Sequence, residues 1–207
     1  MRLVDLLRFG EAALLGAGVT EYELDARLLL EHCTGKNRTE IFLSGESEVD
    51  LEVQNCYRNF LEQRQQRKPV AYILGEQEFW SMPFCVSPDV LIPRPETEYL
   101  LDMVFAITDP DNFQKGNILD LCCGSGVIAT VLGKETGKLI FASDISRKAL
   151  EMTKKNFKGF WETCSTKGVL LQSSKLMATT LDHARQSSFL PTFPRRFARI
   201  FLSLRIR

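Results

Sequence analysis

ILDLCCGSGVIATVLGKETGKLIFASD, residues 118–144, is the stretch that decides the fold. Ile118 to Leu121 is a short apolar run of the kind that forms a buried strand, and CCGSG after it predicts a tight turn. Val127 to Gly133 opens a helix, Leu139 to Ser143 is a second strand, and Ser146 to Phe157 continues as a second helix. Strand, glycine turn, helix and strand in this order predict a βαβ unit with parallel strands and a right-handed crossover. The fold class is therefore α/β.

The turn also carries chemistry. Asp120 lies on the first strand and Gly124 and Gly126 lie in the turn, where glycine allows a sharp bend and lets a ligand rest on the main chain. Asp144 ends the second strand, where a carboxylate can accept from both hydroxyls of a ribose, each charge-assisted bond being worth roughly 1.5–3 kcal/mol. A plainer reading leaves the turn without a ligand and makes Asp144 a cap for the next helix. If a ligand binds, two cofactors compete. Gly124, Gly126 and Ala129 satisfy G-x-G-x-x-A, the dinucleotide pattern of an NAD-dependent oxidoreductase. Asp120 directly before the turn is instead a common position for an acidic residue in methyltransferases. The chain is also short for a second mononucleotide half. The loop leans toward S-adenosyl-L-methionine without deciding.

Upstream, the first 68 residues predict a small helical bundle. Leu3, Leu6, Leu7 and Leu14 share one stripe that Gly16 and Gly18 end. Thr20 and Glu23 suggest a capping box for a helix carrying Leu24, Leu28 and Leu29 up to Gly35. A third helix, about 50 to 67, presents Val53, Tyr57, Phe60 and Leu61 and stops before Pro69. The texture then changes. Phe79 to Ser81 and Phe84 to Val86 predict the strands of a hairpin turning at Met82-Pro83. Pro95 suits the first turn of a helix, with Glu96 and Glu98 favourably placed against its dipole and Leu100, Leu101 and Val104 on its buried face.

Composition sets the outer limits. Apolar residues make up 44% and charged residues 25% of 207, as expected of a globular protein, and no apolar run reaches membrane-spanning length. Asp5 and Glu11 interrupt the apolar N-terminus, unlike a secretory segment, so a cytoplasmic or organellar-matrix setting is expected. Six cysteines without a C-x-x-C pair, and only two histidines, predict reduced and mostly buried thiols and no metal site. The net charge of zero hides an asymmetry: residues 1–160 hold 18 Lys and Arg against 24 Asp and Glu, whereas residues 161–207 hold 8 against 2.

The decisive match lies in RKPVAYILGEQEFWSMPFCVSPDVLIPRPETEYLL, with Pro69, Tyr72, Gly75, Glu78, Phe79 and the run LIPRPETE at 91–98. This stretch resembles the linker signature of release-factor glutamine methyltransferases, the HemK/PrmC family. The loop DLCCGSG and the later DISRKALEMTKKN follow the same family in order and spacing, with Cys122 where many members have glycine. The resemblance covers about residues 1–157 and is strongest from residue 69. It implies three parts: a helical substrate-recognition domain over 1–71, a β-hairpin linker over 72–95, and a partial Rossmann-like methyltransferase domain over 96–207. It further implies methyl transfer from S-adenosyl-L-methionine to the glutamine amide of a release factor's Gly-Gly-Gln motif by a monomer. Carried over position by position, Asp120, Cys122, Cys123, Gly124, Ser125 and Gly126 should surround the methionine part and Asp144 should hold the ribose. Arg94, Pro95 and Thr97 should border the same pocket, unless Arg94 is spent on an ion pair with Glu96 or Glu98.

The same resemblance exposes a gap. The family's Asn-Pro-Pro-Tyr segment orients a poorly nucleophilic amide nitrogen toward the sulfonium methyl, a task of positioning and electrostatics. It is expected near 185–195, where the chain reads RQSSFLPTFPRR. No catalytic residue can be named in its place. Only 112 residues run from Glu96 to Arg207, which leaves several strands of a methyltransferase sheet unaccounted for. Loss of the family pattern near 158 coincides with the charge switch. A frameshifted or alternative end explains both, and recovery of Asn-Pro-Pro-Tyr in another reading frame after codon 157 would establish it. The competing readings are a non-catalytic module that binds release factor or cofactor, and an RNA-binding tail built on Arg195, Arg196, Arg199, Arg205 and Arg207 around Phe197 and Phe201. The expectation is a family member that captures cofactor but does not transfer methyl. Val169 to Leu171 and Ile200 to Leu204 are candidate further strands.

Overall fold

A computed structural model of the chain describes residues 1–107, 118–161 and 169–173. Two compact units divide it, Met1–Gly75 and Glu76–Arg207.

The first unit is helical: α1 (Leu3–Gly16), α2 (Tyr22–Thr34), α3 (Arg38–Leu43), α4 (Leu51–Gln65) and α5 (Val70–Leu74). The stripe read from the sequence is the buried one, with Leu3, Leu6 and Leu14 of α1 meeting Leu29 and Leu30 of α2 and Tyr57 and Leu61 of α4. Close approach is set at Gly10, where an added Cβ would lie 1.9 Å from the Tyr57 hydroxyl oxygen. That hydroxyl in turn donates to the Ala26 carbonyl at 3.1 Å, so the buried phenol is satisfied. Asp25 and Arg64 join α2 to α4 through a 2.7 Å ion pair. Arg67 closes the C-terminal end of α1 by donating to the carbonyls of Ala17 (2.8 Å) and Gly18 (3.0 Å), where cations are favoured.

The capping box expected at Thr20 and Glu23 does not form. α2 starts after Glu21 without a side-chain cap, and the Glu23 carboxylate instead accepts from the Tyr22 hydroxyl at 3.1 Å. The capping box is found at α3: Asn37 Oδ1 accepts from Glu40 N at 3.0 Å while Glu40 Oε2 accepts from Asn37 N at 2.8 Å. Asn at N-cap with Glu three residues on is the same signature, one helix later. Mostly buried cysteines are not seen either. Cys123 is buried, but Cys33, Cys56 and Cys85 are half-buried and Cys122 is exposed; Cys164 lies outside the described residues.

The second unit begins with a hairpin, β1 (Glu76–Phe79) and β2 (Met82–Cys85), in which Phe79 pairs Met82 and Glu78 pairs Pro83. The turn is therefore at Trp80-Ser81, not at Met82-Pro83. Trp80 and Ser81 take φ of 55° and 54°, the double left-handed pattern of the two-residue turn that matches strand twist. Pro83 lacks an amide hydrogen and is accommodated on a two-stranded edge. Hydrogen bonds from Trp80 N to Glu98 Oε1 (2.6 Å) and from Trp80 Nε1 to Glu135 Oε1 (3.3 Å) hold the unusual turn in place.

After α6 (Glu96–Ile107), the α/β pattern runs β3 (Ile118–Leu121), α7 (Val127–Thr136), β4 (Ile140–Asp144), α8 (Arg147–Trp161) and β5 (Val169–Ser173). The sheet has the order β3-β4-β5, parallel throughout, with Ile118 opposite Ile140 and Ile140 opposite Val169. The strand expected at 169–171 is thus present; that at 200–204 lies outside the described residues. One apolar cluster joins Phe79, Met82 and Phe84 of the hairpin, Leu101 and Val104 of α6, and Ile118, Val131, Leu132 and Ile140 of the βαβ unit. Each such fully buried side chain contributes about 1.5–3 kcal/mol. This architecture is a partial Rossmann-like α/β domain preceded by a helical region.

Candidate functional site

The site lies at the C-terminal ends of β3 and β4, where parallel α/β sheets hold ligands. Residues 122–126 leave β3 and turn into α7. Cys122 adopts φ +62°, and Gly124 and Gly126 adopt +56° and +80°. Such angles suit glycine and strain a side-chain-bearing residue, and Cys122 takes that strain. The turn closes on itself through Gly126 N to Cys123 O at 2.7 Å and is tied to the sheet through Cys123 N to Ser143 O at 3.1 Å.

The two carboxylates have different duties. Asp120 is buried and accepts from Ala129 N at 3.1 Å in the first turn of α7, so it joins β3 to the helix. Burial pushes its pKa up to about 7, with the nearby Asp144 adding to the rise and the Ala129 amide opposing it. Asp144 Oδ2 accepts from Gly124 N and its Oδ1 from Ser146 N, both at 2.9 Å. The cap of α8 falls to Ser146, whose hydroxyl accepts from Ala149 N at 3.2 Å. Asp144 is therefore more than a helix cap: it grips the glycine loop itself. Each carboxylate oxygen has a second lone pair, which leaves acceptor capacity for hydroxyl donors.

Arg94 and Pro95 are exposed and Thr97 is half-buried, at the entry to α6. The turn there is set by Thr97 N to Arg94 O and Glu98 N to Pro95 O, both 3.0 Å. Among the described residues Arg94 forms no ion pair with Glu96 or Glu98, and Glu98 serves the Trp80 amide instead. No hydrogen bond joins Arg94, Pro95 or Thr97 to the loop among the described residues; α6 and the loop meet through the core shared by Leu101 and Cys123.

Three residues escaped the sequence reading. Thr153 Oγ1 donates to Gly124 O at 3.0 Å and touches Cys123 Sγ at 3.3 Å. Asn156 donates to Ser125 O at 2.9 Å and pairs with the Cys85 backbone. Ile145 is 82% exposed beside Asp144, an uncovered aliphatic side chain just past the C-terminal end of β4. For the first two a signal existed. The inward stripe of α8 runs Ala149, Leu150, Thr153, Asn156, and polar residues placed on a buried stripe need partners. Thr130 in α7 is the counter-example, since its buried Oγ1 finds no hydrogen-bond partner among the described residues. Among those residues no cluster of three or more His, Cys, Asp or Glu is placed to hold a metal, and no helix is long and apolar enough to cross a membrane.

Sheet order, glycine turn and strand-end aspartate are together the features of an α/β domain of the nucleotide-cofactor class. Comparison with known proteins places the chain more narrowly. Residues 5–75 match the PrmC N-terminal domain and residues 97–182 the methyltransferase small domain, a match that runs past residue 157. The chain is similar to the release factor glutamine methyltransferase of Haemophilus influenzae, 43% identical over 119 residues covering 55% of this chain and 40% of the relative. Those of Neisseria gonorrhoeae (40% over 135 residues, 65% and 48%) and Deinococcus radiodurans (36% over 157 residues, 75% and 56%) match likewise. The chain belongs to this release factor glutamine methyltransferase family, and it spans about half the length of the curated relatives it matches.

Proposed function

We propose that the chain captures S-adenosyl-L-methionine on the loop Cys122–Gly126, with Asp144 accepting from the ribose hydroxyls. The carrying observation is the Asp144 carboxylate, fixed 2.9 Å from the Gly124 amide while retaining free lone pairs at the sheet's ligand-facing edge. Asp120 and Cys123 back the loop, Ser125 shapes it, and Arg94, Pro95 and Thr97 border the pocket from the entry to α6. Ile145 offers an apolar shelf to the purine. Residues 1–71 serve to recognise the substrate, and residues 72–95 join them to the catalytic domain.

The reaction the family supports is methyl transfer to the glutamine amide of a peptide-chain release factor, the activity that the relatives' names state. S-adenosyl-L-methionine supplies an electrophilic methyl when bound. The chain's own residues hold and orient the cofactor, but among them no Asn-Pro-Pro-Tyr segment is found to orient the amide. The 207-residue chain is accordingly a cofactor-binding member with little or no turnover, in a cytoplasmic or organellar-matrix setting and acting as a monomer. Incubation with radiolabelled S-adenosyl-L-methionine and a release factor tests the reading. Cofactor retention without label on the Gly-Gly-Gln glutamine is the expected result, and robust labelling overturns the inactivity.

A further inference from the structure

Asn156 is 3% exposed and commits its amide oxygen and both amide hydrogens to two separate segments. Its Oδ1 accepts from Cys85 N at 2.7 Å and its Nδ2 donates to Cys85 O at 2.9 Å, so the amide docks on the end of β2 as a neighbouring strand would. The remaining Nδ2 hydrogen goes to Ser125 O at 2.9 Å. A trans peptide places its N–H opposite its C=O. Holding the Ser125 carbonyl toward α8 therefore turns the Gly126 N–H the other way, into the 2.7 Å bond to Cys123 O that closes the loop. Thr153, one helical turn earlier, does the same for the Gly124 carbonyl and so directs the Ser125 N–H away from α8. Cys85 is the last residue of β2, from which the segment carrying Arg94, Pro95 and Thr97 departs. A 2.7 Å ion pair between Asp89 in that segment and Lys148 adds a second tie to α8.

We infer that Asn156 is a positioning residue that couples the hairpin to the glycine loop, setting both borders of the cofactor pocket with one side chain. The inference rests on the reading of that loop as the cofactor site. Binding at the loop is felt at Cys85 because one amide group holds both. Asn156→Asp preserves shape and the acceptor for Cys85 N, but removes both donors and turns a charge toward two carbonyl oxygens. Thr153→Val frees the Gly124 carbonyl and the Cys123 thiol but leaves the bonds to Ser125 and Cys85 in place.

Calorimetry with S-adenosylhomocysteine, combined with hydrogen exchange at residues 76–90 and 118–130, separates the outcomes. In the wild-type chain, ligand slows exchange in both segments. In Asn156→Asp, affinity falls about tenfold or more, as loss of buried hydrogen bonds predicts. At saturating ligand the loop remains protected while the hairpin no longer responds. Thr153→Val weakens binding but keeps the hairpin response, which a merely structural loss of stability would not produce. Should Asn156→Asp fail to fold, Asn156→Leu takes the same measurements with a neutral side chain of similar volume. Wild-type affinity in the variant, or a hairpin response that survives in it, overturns the coupling while leaving the cofactor reading intact. Absence of S-adenosylhomocysteine binding by the wild-type chain overturns the cofactor reading, and the coupling with it.

Discussion

Asp120 illustrates how a single buried carboxyl makes the chain sensitive to pH. Its folded pKa of about 7 lies above the ordinary 3.8, so between these values the unfolded chain releases a proton that the folded chain keeps. Stability therefore falls as pH rises across that window and levels off above it. The urea midpoint of the wild-type chain should drop more steeply over this range than that of Asp120→Asn; equal slopes would remove Asp120 as the source. Thr130 makes a second residue-scale case. Its hydroxyl is buried without a partner among the described residues, so Thr130→Val should stabilise by about 1 kcal/mol in denaturant titration. Gly126 permits the opposite test. An added Cβ would lie 2.6 Å from Thr153 Cγ2 at a φ of +80°, so Gly126→Ala should lower the melting temperature and weaken S-adenosylhomocysteine binding at least tenfold. Unchanged binding would show that the loop has room the geometry denies.

At the scale of elements, periodicity carried the fold and local turn chemistry misled. The stripes of α1 and α4, the strand at 118–121 and the strand–turn–helix order were legible because burial imposes repeats of 3.6 and 2 on the residues concerned. The hairpin turn was misplaced because proline is a strong turn signal. The left-handed angles of Trp80 and Ser81 are instead sustained by Glu98 and Glu135, which are distant in sequence. The capping box at Thr20 does not form because α2 starts at Tyr22 with Glu21 as its N-cap, so Glu23 is the second helical residue and not the third. For the candidate site, Gly124, Gly126 and Asp144 could be read because their residue types announce a turn and a ribose acceptor. Thr153 and Asn156 show in the sequence only as polar residues on a buried stripe; their partners, backbone carbonyls 29 and 31 residues away, do not. Close packing of α1 on α4 gives the prediction at this scale. Gly10→Ala drives a methyl group into the Tyr57 ring and should cost about 2–3 kcal/mol, whereas Tyr57→Phe, which removes the hydroxyl nearest that position, should partly rescue it. A double-mutant cycle by chemical denaturation measures this, and simple additivity would contradict it.

As a whole, the molecule joins a helical unit ending at Gly75 to an α/β unit whose described sheet has three parallel strands. The PrmC N-terminal domain matches residues 5–75 and the methyltransferase small domain residues 97–182, and this chain covers roughly half of its relatives' length. On the proposed reading, the loop and Asp144, with the α8 residues Thr153 and Asn156 that bond to the loop, form the cofactor site, and the 207 residues hold no Asn-Pro-Pro-Tyr run. The competing dinucleotide reading uses the same glycines, so the ligand itself must discriminate. Isothermal titration of the 207-residue chain with S-adenosylhomocysteine, with NAD as competitor and Asp144→Ala as control, tests the central claim most directly. The account predicts saturable one-to-one binding that NAD does not displace and that Asp144→Ala weakens at least tenfold. Preferential binding of NAD, or S-adenosylhomocysteine binding that is indifferent to Asp144→Ala, would contradict it.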